Sequence, residues 1–137
     1  MSVEYNNISK VMALIDGEIQ SIIRDEPENM RNDIRGAMNS SGRSGRIYTR
    51  RSVTHQASAP GEAPAPDTGN LVASIVTRQT DAMHSAVQSD AVYSLALELG
   101  RPEVNLLQRP AWIPAKNTAM KRINKRLKVL RKKVENV

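Results

Sequence analysis

Acid–base or nucleophilic chemistry needs a nucleophile beside a base, paired carboxylates, or clustered metal ligands. His55 and Ser58 lie three positions apart, with Glu62 nearby, so a Ser–His dyad can be drawn for hydrolytic chemistry. The segment around them is rich in Ser, Ala and Pro, where such pairs arise by chance, and no second acid stands near to orient the histidine. The other histidine, His84, is far away, and no His-x-x-x-His spacing occurs. There is no Cys, which excludes disulfides, thiol catalysis and thiolate metal sites. Gly61 and Gly69 lack the Lys-Ser/Thr that follows a phosphate loop. Glu98, in LALELG, reads either as a buried acid or, more simply, as a helix-end carboxylate facing solvent or pairing an arginine. No catalytic set, cofactor site or metal site is expected.

Charge is the second chemical signal. The chain has 137 residues and a formal charge of +6. From Lys116 onward there are nine Lys or Arg and a single acid, Glu135, giving +8 there and −2 for the rest. A concentration of this kind marks an interaction surface. Lys121, Arg122, Lys125, Arg126, Lys128, Arg131, Lys132 and Lys133 would either neutralise nucleic-acid phosphates or dock on an acidic partner; a merely solvated face is the plain alternative. The only aromatic residues are Trp112 and three tyrosines, too few to stack unpaired bases.

The elements that position these residues read as α+β within a single domain spanning 1–137. Ile8, Val11, Met12, Ile15, Ile19, Ile22 and Ile23 recur at helical spacing, and Met30, Ile34 and Met38 continue the face to Asn39. Pro27 predicts a break or kink near Arg24–Pro27, with Asp25 capping the second piece. Asn39-Ser40-Ser41-Gly42 should end the helix. Arg43–His55 alternates weakly, consistent with a short strand or hairpin, or equally with an exposed extended segment. Prolines 60, 64 and 66 then predict extended geometry across Ala57–Pro66, so that about 43–66 forms a Pro-rich arm.

Asp67 or Thr68 should cap a short helix carrying Leu71, Val72 and Ile75. Ile75–Thr80 is β-branched and alternating, Asp81–Met83 reads as a turn, and His84–Gln88 as the returning strand. Ser89-Asp90 should cap a helix from Ala91 to Leu99, with Val92, Leu95, Ala96 and Leu99 on its apolar side and Gly100 as its stop. Arg101–Gln108 is irregular, Arg109–Ala115 a turn, and the last helix begins at Thr118. Met120, Ile123, Leu127, Leu130, Val134 and Val137 form its apolar seam, to be buried on the domain or on a neighbouring subunit. Met1–Lys10 lacks the basic start and apolar run of a signal peptide, and no window nears the roughly 20 apolar residues of a membrane span. A soluble protein made in a cytoplasm, without membrane contact, is expected.

An ordered set of motifs resembles the small neck or tail-completion proteins of tailed bacteriophages. It comprises Ser44-Gly45-Arg46-Ile47-Tyr48, then His55 to Pro64, then Asp67-Thr68-Gly69-Asn70-Leu71 with Ser74-Ile75. Tyr93-Ser94-Leu95-Ala96-Leu97-Glu98-Leu99-Gly100 is similar to that family's Tyr-Ala…Glu-Phe-Gly pattern, and Arg109–Ala115 to its Arg-Pro-Phe-Leu-x-Pro-Ala motif. The match covers about Ser44–Ala115, with Leu99 and Ala111-Trp112 as apolar departures. The resemblance implies a tail-terminator-like fold and a non-enzymatic virion protein, assembled in the host cytoplasm. Its homo-oligomeric ring, expected to be a hexamer, would complete the tail and meet the head-connector and tail-tube proteins around a DNA channel. Within it Ala57, Ser58, Ala59, Pro60, Gly61, Glu62, Ala63 and Pro64 would form an inter-subunit arm. Tyr93, Glu98, Gly100, Arg109, Pro110, Trp112 and Pro114 would serve packing and assembly. A DNA-binding accessory protein using the basic C-terminal helix is the rival reading.

Overall fold

A computed structural model describes residues 7–40 and 43–137. Its architecture is α+β. Helix α1 (Ile8–Ser40) is followed by a hairpin, β1 (Ile47–Arg50) and β2 (Val53–Gln56), and by the short α2 (Asn70–Ala73). A second hairpin, β3 (Ile75–Asp81) and β4 (His84–Ser89), leads to α3 (Ser94–Leu99), a 3₁₀ turn at Pro102–Val104, and the long α4 (Trp112–Glu135).

Helix α1 is continuous through Pro27, so the expected break is absent. Pro27 has no N–H for the carbonyl of Ile23, four residues back. Ser85 on β4 supplies the missing donor: its hydroxyl donates to Ile23 O at 2.6 Å. Asp25 caps nothing; it accepts from Ser21 and Arg24 within the same helix. Its carboxyl is held below the usual range by the Arg24 bond above all, with Ser21 and Arg126 adding to it against partial burial. The Ser41-Gly42 end lies outside the described residues.

The two hairpins form separate antiparallel sheets. The β3–β4 pair matches its sequence pattern, Ile75 facing Ser89 and Asp81 facing His84. It is fastened to α1 by Arg35, which donates to Ile75 O at 2.6 Å, and by the hydroxyl of Thr77, which donates to Glu28. In the first hairpin Tyr48 pairs with His55, and the connecting Arg51 and Ser52 both have left-handed φ, 50° and 62°. Two-residue hairpin turns demand that conformation, usually from Asn-Gly.

Helices α1 and α4 run antiparallel, since Glu18 meets Arg126 while Asp33 meets Arg122. The core below them gathers Ile34, Met38, Ala63, Ile75, Ala111 and Ala115. Helix α1 leaves Ile8 and Met12 exposed. Helix α4 starts at Trp112 rather than Thr118, with Pro114 in its first turn, where an N–H would have no intrahelical partner. The apolar seam is only partly inward. Leu130 is buried and Ile123 and Val134 half-buried, while Met120, Leu127 and Val137 stay exposed. The inward row is Ala115, Ala119, Arg122, Arg126 and Leu130, because small alanines and paired arginines fit against α1. No described helix is long and apolar enough to cross a membrane.

Candidate functional site

His55 and Ser58 do not form a dyad. The His55 ring stacks on Tyr48, centroids 5.5 Å apart, and its Nε2 lies 3.5 Å from Asp67. Ser58 is buried, and its carbonyl accepts from Arg109 at 3.4 Å. His84 sits at the β3–β4 turn beside Asp81, 2.9 Å away. That contact, with the Met83 N–H, holds the Asp81 carboxyl below its usual range. Asp67 also takes Arg50 at 2.5 Å, so it does not cap α2; Thr68 accepts the Asn70 N–H at 3.4 Å instead. Ile75 opens β3 instead of closing the α2 face.

The dominant constellation is built around Glu98. The first N–H groups of a helix have no partners within it, and α4 begins behind Ala111, whose side chain accepts nothing. Glu98 reaches across from α3, only 7% exposed. Its Oε2 accepts the N–H groups of Ala111 (2.7 Å) and Trp112 (3.1 Å), and its Oε1 that of Ile113 (2.8 Å). A carboxylate there also complements the positive end of the helix dipole. The solvent-facing or arginine-paired reading of Glu98 is therefore corrected: it is a remote cap.

Around this cap the sequence motifs converge. Arg109 N–H donates to Leu97 O at 2.7 Å, and its guanidinium reaches the carbonyls of Ser58 and Leu107. Gly61 N–H donates to Gln108 O at 2.9 Å. Gly100, with φ of 76°, turns the chain so tightly that a Cβ would stand 2.8 Å from Leu106 O. Gly45 is equally constrained: a Cβ there would lie 2.6 Å from Ser58 O. Pro110 is half-buried behind the cap, and Tyr93 flanks the start of α3.

The segment expected as an extended arm is something else. Arg43–Pro66 comprises the β1–β2 hairpin and a strap that folds back on its own chain. The strap turns at Ala59–Glu62, where Glu62 N–H donates to Ala59 O at 3.1 Å, and buries Ser58, Ala63 and Pro64. Pro60 and Gly61 form its exposed tip. Glu62 ties the strap down, accepting the Ser44 hydroxyl (2.5 Å) and N–H (3.2 Å) and the Ala59 N–H (2.7 Å). Its carboxyl is held below the ordinary 4.5, first by the Ser44 hydroxyl and then by the Ala59 N–H. Proline spacing signalled stiffness but not the turn, which needs Gly61 at φ 87°.

Helix α3 is turned inside out. Ser94 and Glu98 face the core at 9% and 7% exposure, while Leu95 and Leu99 on the expected apolar side, and Val92 just before the helix, are 68%, 52% and 97% exposed. The exposed side chains of Val104, Leu107 and Ile113 belong to the adjoining segments. The helix itself is shorter than expected, starting at Ser94, with Ser89 accepting the Ala91 N–H at 3.3 Å.

The cationic residues of α4 divide into two sets. Arg122 donates to Glu26 (2.9 Å) and Asp33 (2.7 Å), and Arg126 to Glu18 (2.9 Å), Ser21 (2.8 Å) and Asp25 (3.4 Å). Burial pulls both guanidinium groups down, yet these carboxylate bonds outweigh it and hold them above their usual range. Arg122 and Arg126 are thus committed within the chain, and Arg131 pairs with Glu135 at 2.9 Å. Lys121, Lys125, Lys128, Lys132 and Lys133 remain exposed. Acids seven residues apart, Glu18 and Asp25 opposite Arg126 and Glu26 and Asp33 opposite Arg122, were the available signal for this clamp.

A groove of about 590 Å³ runs between the first hairpin, the strap and α3, walled by Tyr48, Arg50, Asp67, Tyr93, Leu97 and Arg109. Among the described residues no group of three or more His, Asp or Glu is placed to hold a metal ion. Compared with models of protein families, with curated proteins and with solved structures, the chain matches none.

Proposed function

We propose that this chain is a structural virion protein of a tailed bacteriophage. It would form a homo-oligomeric ring, six-fold by resemblance, at the head–tail interface, completing the tail and joining it to the head connector. The observation that carries the assembly reading is the outward apolar face of Leu95 and Leu99, with Val92 just before them, on an element whose polar residues point inward. Burying Glu98 to cap α4 commits α3 to that orientation. Exposed contiguous apolar surface of this kind is what protein–protein contacts cover. The bacteriophage assignment rests on the motif order, and the convergence of the Ser58–Pro64, Tyr93–Gly100 and Arg109–Pro114 motifs on one cap supports treating them as a unit. The exposed Pro60–Gly61 tip, not the whole strap, is then the part available to a neighbour.

The test is a Leu95→Ser, Leu99→Ser double variant, which removes apolar surface without touching the core. Mass by light scattering, negative-stain images and phage complementation are the readouts. The expected result is a folded monomer, no rings, and heads and tails that accumulate unjoined. Normal head–tail joining by the variant would refute the proposal.

A further inference from the structure

The clamp between α1 and α4 leaves a cationic surface with no internal use. Among the described residues every ion pair is made by Arg or His, and no Lys takes part in one. Four of the lysines recur at i, i+4, i+7 and i+11: Lys121, Lys125, Lys128 and Lys132. All four are exposed, on the side of α4 opposite the buried Ala115, Ala119 and Leu130. At 1.5 Å per residue they form a straight stripe about 16 Å long. Like charges three and four residues apart repel one another along a helix, so the stripe works against α4 instead of stabilising it.

We propose that Lys121, Lys125, Lys128 and Lys132 form a contact surface for the phosphate backbone of double-stranded nucleic acid. The inference goes beyond the assembly reading and does not depend on it. Three features select this partner. Lysine ammonium groups are mobile point charges that neutralise phosphates without demanding a fixed geometry. The four positions are all lysine and only Met120, Leu127 and Val129 flank them, with no aromatic, whereas protein interfaces are anchored by aromatic side chains and depleted in Lys at their centres. A membrane surface would require a broad outward apolar face; the buried row of α4 is turned into the fold, leaving only Ile113, Met120, Leu127 and Val129 as single exposed side chains beside the stripe. Single strands would call for exposed aromatics, which the stripe lacks.

The experiment follows binding of the full chain to a fluorescently labelled DNA duplex by anisotropy across a salt series. With four phosphates neutralised, log K should fall with log salt at a slope of about −3.6, roughly a 150-fold loss between about 50 and 200 mM. Each single Lys→Gln substitution in the stripe should reduce the slope by about 0.9, and the quadruple variant should abolish binding. Lys10→Gln, an exposed lysine on α1, should leave the slope unchanged. Circular dichroism checks the variants, whose α4 should be at least as helical because the repulsion is relieved. No binding at low salt, or slopes unmoved by the stripe substitutions, would overturn the proposal. So would poly-glutamate binding as tightly as the duplex at equal charge, which would point to an acidic protein partner.

Discussion

Removing the Glu98 carboxylate should detach the start of α4 from α3. In Glu98→Ala three N–H groups lose their acceptor, and that of Ala111, in a residue only 2% exposed, has no water to replace it. An orphaned buried donor costs about 1–3 kcal/mol, and loss of a helix cap about 0.5–2 kcal/mol. Because the three bonds share one carboxylate their energies overlap, and a total near ~3 kcal/mol follows. Glu98→Gln keeps the shape but turns one acceptor into a donor. Its amide oxygen can serve Ala111 and Trp112 while its NH₂ opposes the Ile113 N–H, for about 1–2 kcal/mol. Trp112, the only tryptophan, sits within the cap and reports on it directly. Urea titrations followed by Trp112 fluorescence give the stability, and amide exchange at Ala111, Trp112 and Ile113 gives the locality. The alanine variant should lose about 3 kcal/mol and exchange these three amides fastest, ahead of the glutamine variant. A loss below ~1 kcal/mol with unchanged exchange would refute the capping role.

The Ser85 hydroxyl should be worth about 1–2 kcal/mol because Pro27 leaves Ile23 O without a donor. Ser85→Ala should cost that much in the native background and much less beside Pro27→Ala, which restores the helical N–H; equal costs in a double-mutant cycle would show the two sites to be uncoupled. Stability should also depend on pH through Glu62. Its carboxyl is depressed in the folded state, so its contribution is complete above the ordinary 4.5 and is lost as pH falls through the lower folded value. Thermal melts of Glu62→Gln and of the native chain should therefore differ at neutral pH and converge in acid, and a gap that stays constant would contradict this.

Much of the fold is legible where local preference and tertiary packing agree. The β-branched alternation of Ile75–Thr80 produces β3, and Gly100 ends α3, because nothing elsewhere in the chain competes with those preferences. Pro27 misleads because the rule weighs only the helix itself. The donor that rescues Ile23 O lies 62 residues along the chain, on a strand whose register places Ser85 beside α1. The start of α4 fails for the same reason: Ala111 offers no cap, and the carboxylate that replaces one belongs to α3. The seam of α4 fails because apolar spacing ignores arginines that pack inward on acidic partners.

The inversion of α3 links these misreadings to function. Periodicity identifies Leu95 and Leu99 as one side of a helix, but says nothing about which side the monomer buries. That choice falls to Glu98, since α4 needs a carboxylate at its N-terminus and only the opposite side of α3 carries one. Helix α4 makes the parallel choice, turning Arg122 and Arg126 to α1 and its lysines outward. The monomer thus turns Glu98, Arg122 and Arg126 inward and leaves one apolar and one cationic surface uncovered. An apolar face is stabilised by exclusion of water and a lysine stripe is weakened by salt, so the two surfaces respond oppositely to ionic strength. High salt should preserve self-association through Leu95 and Leu99 while releasing whatever the lysines hold.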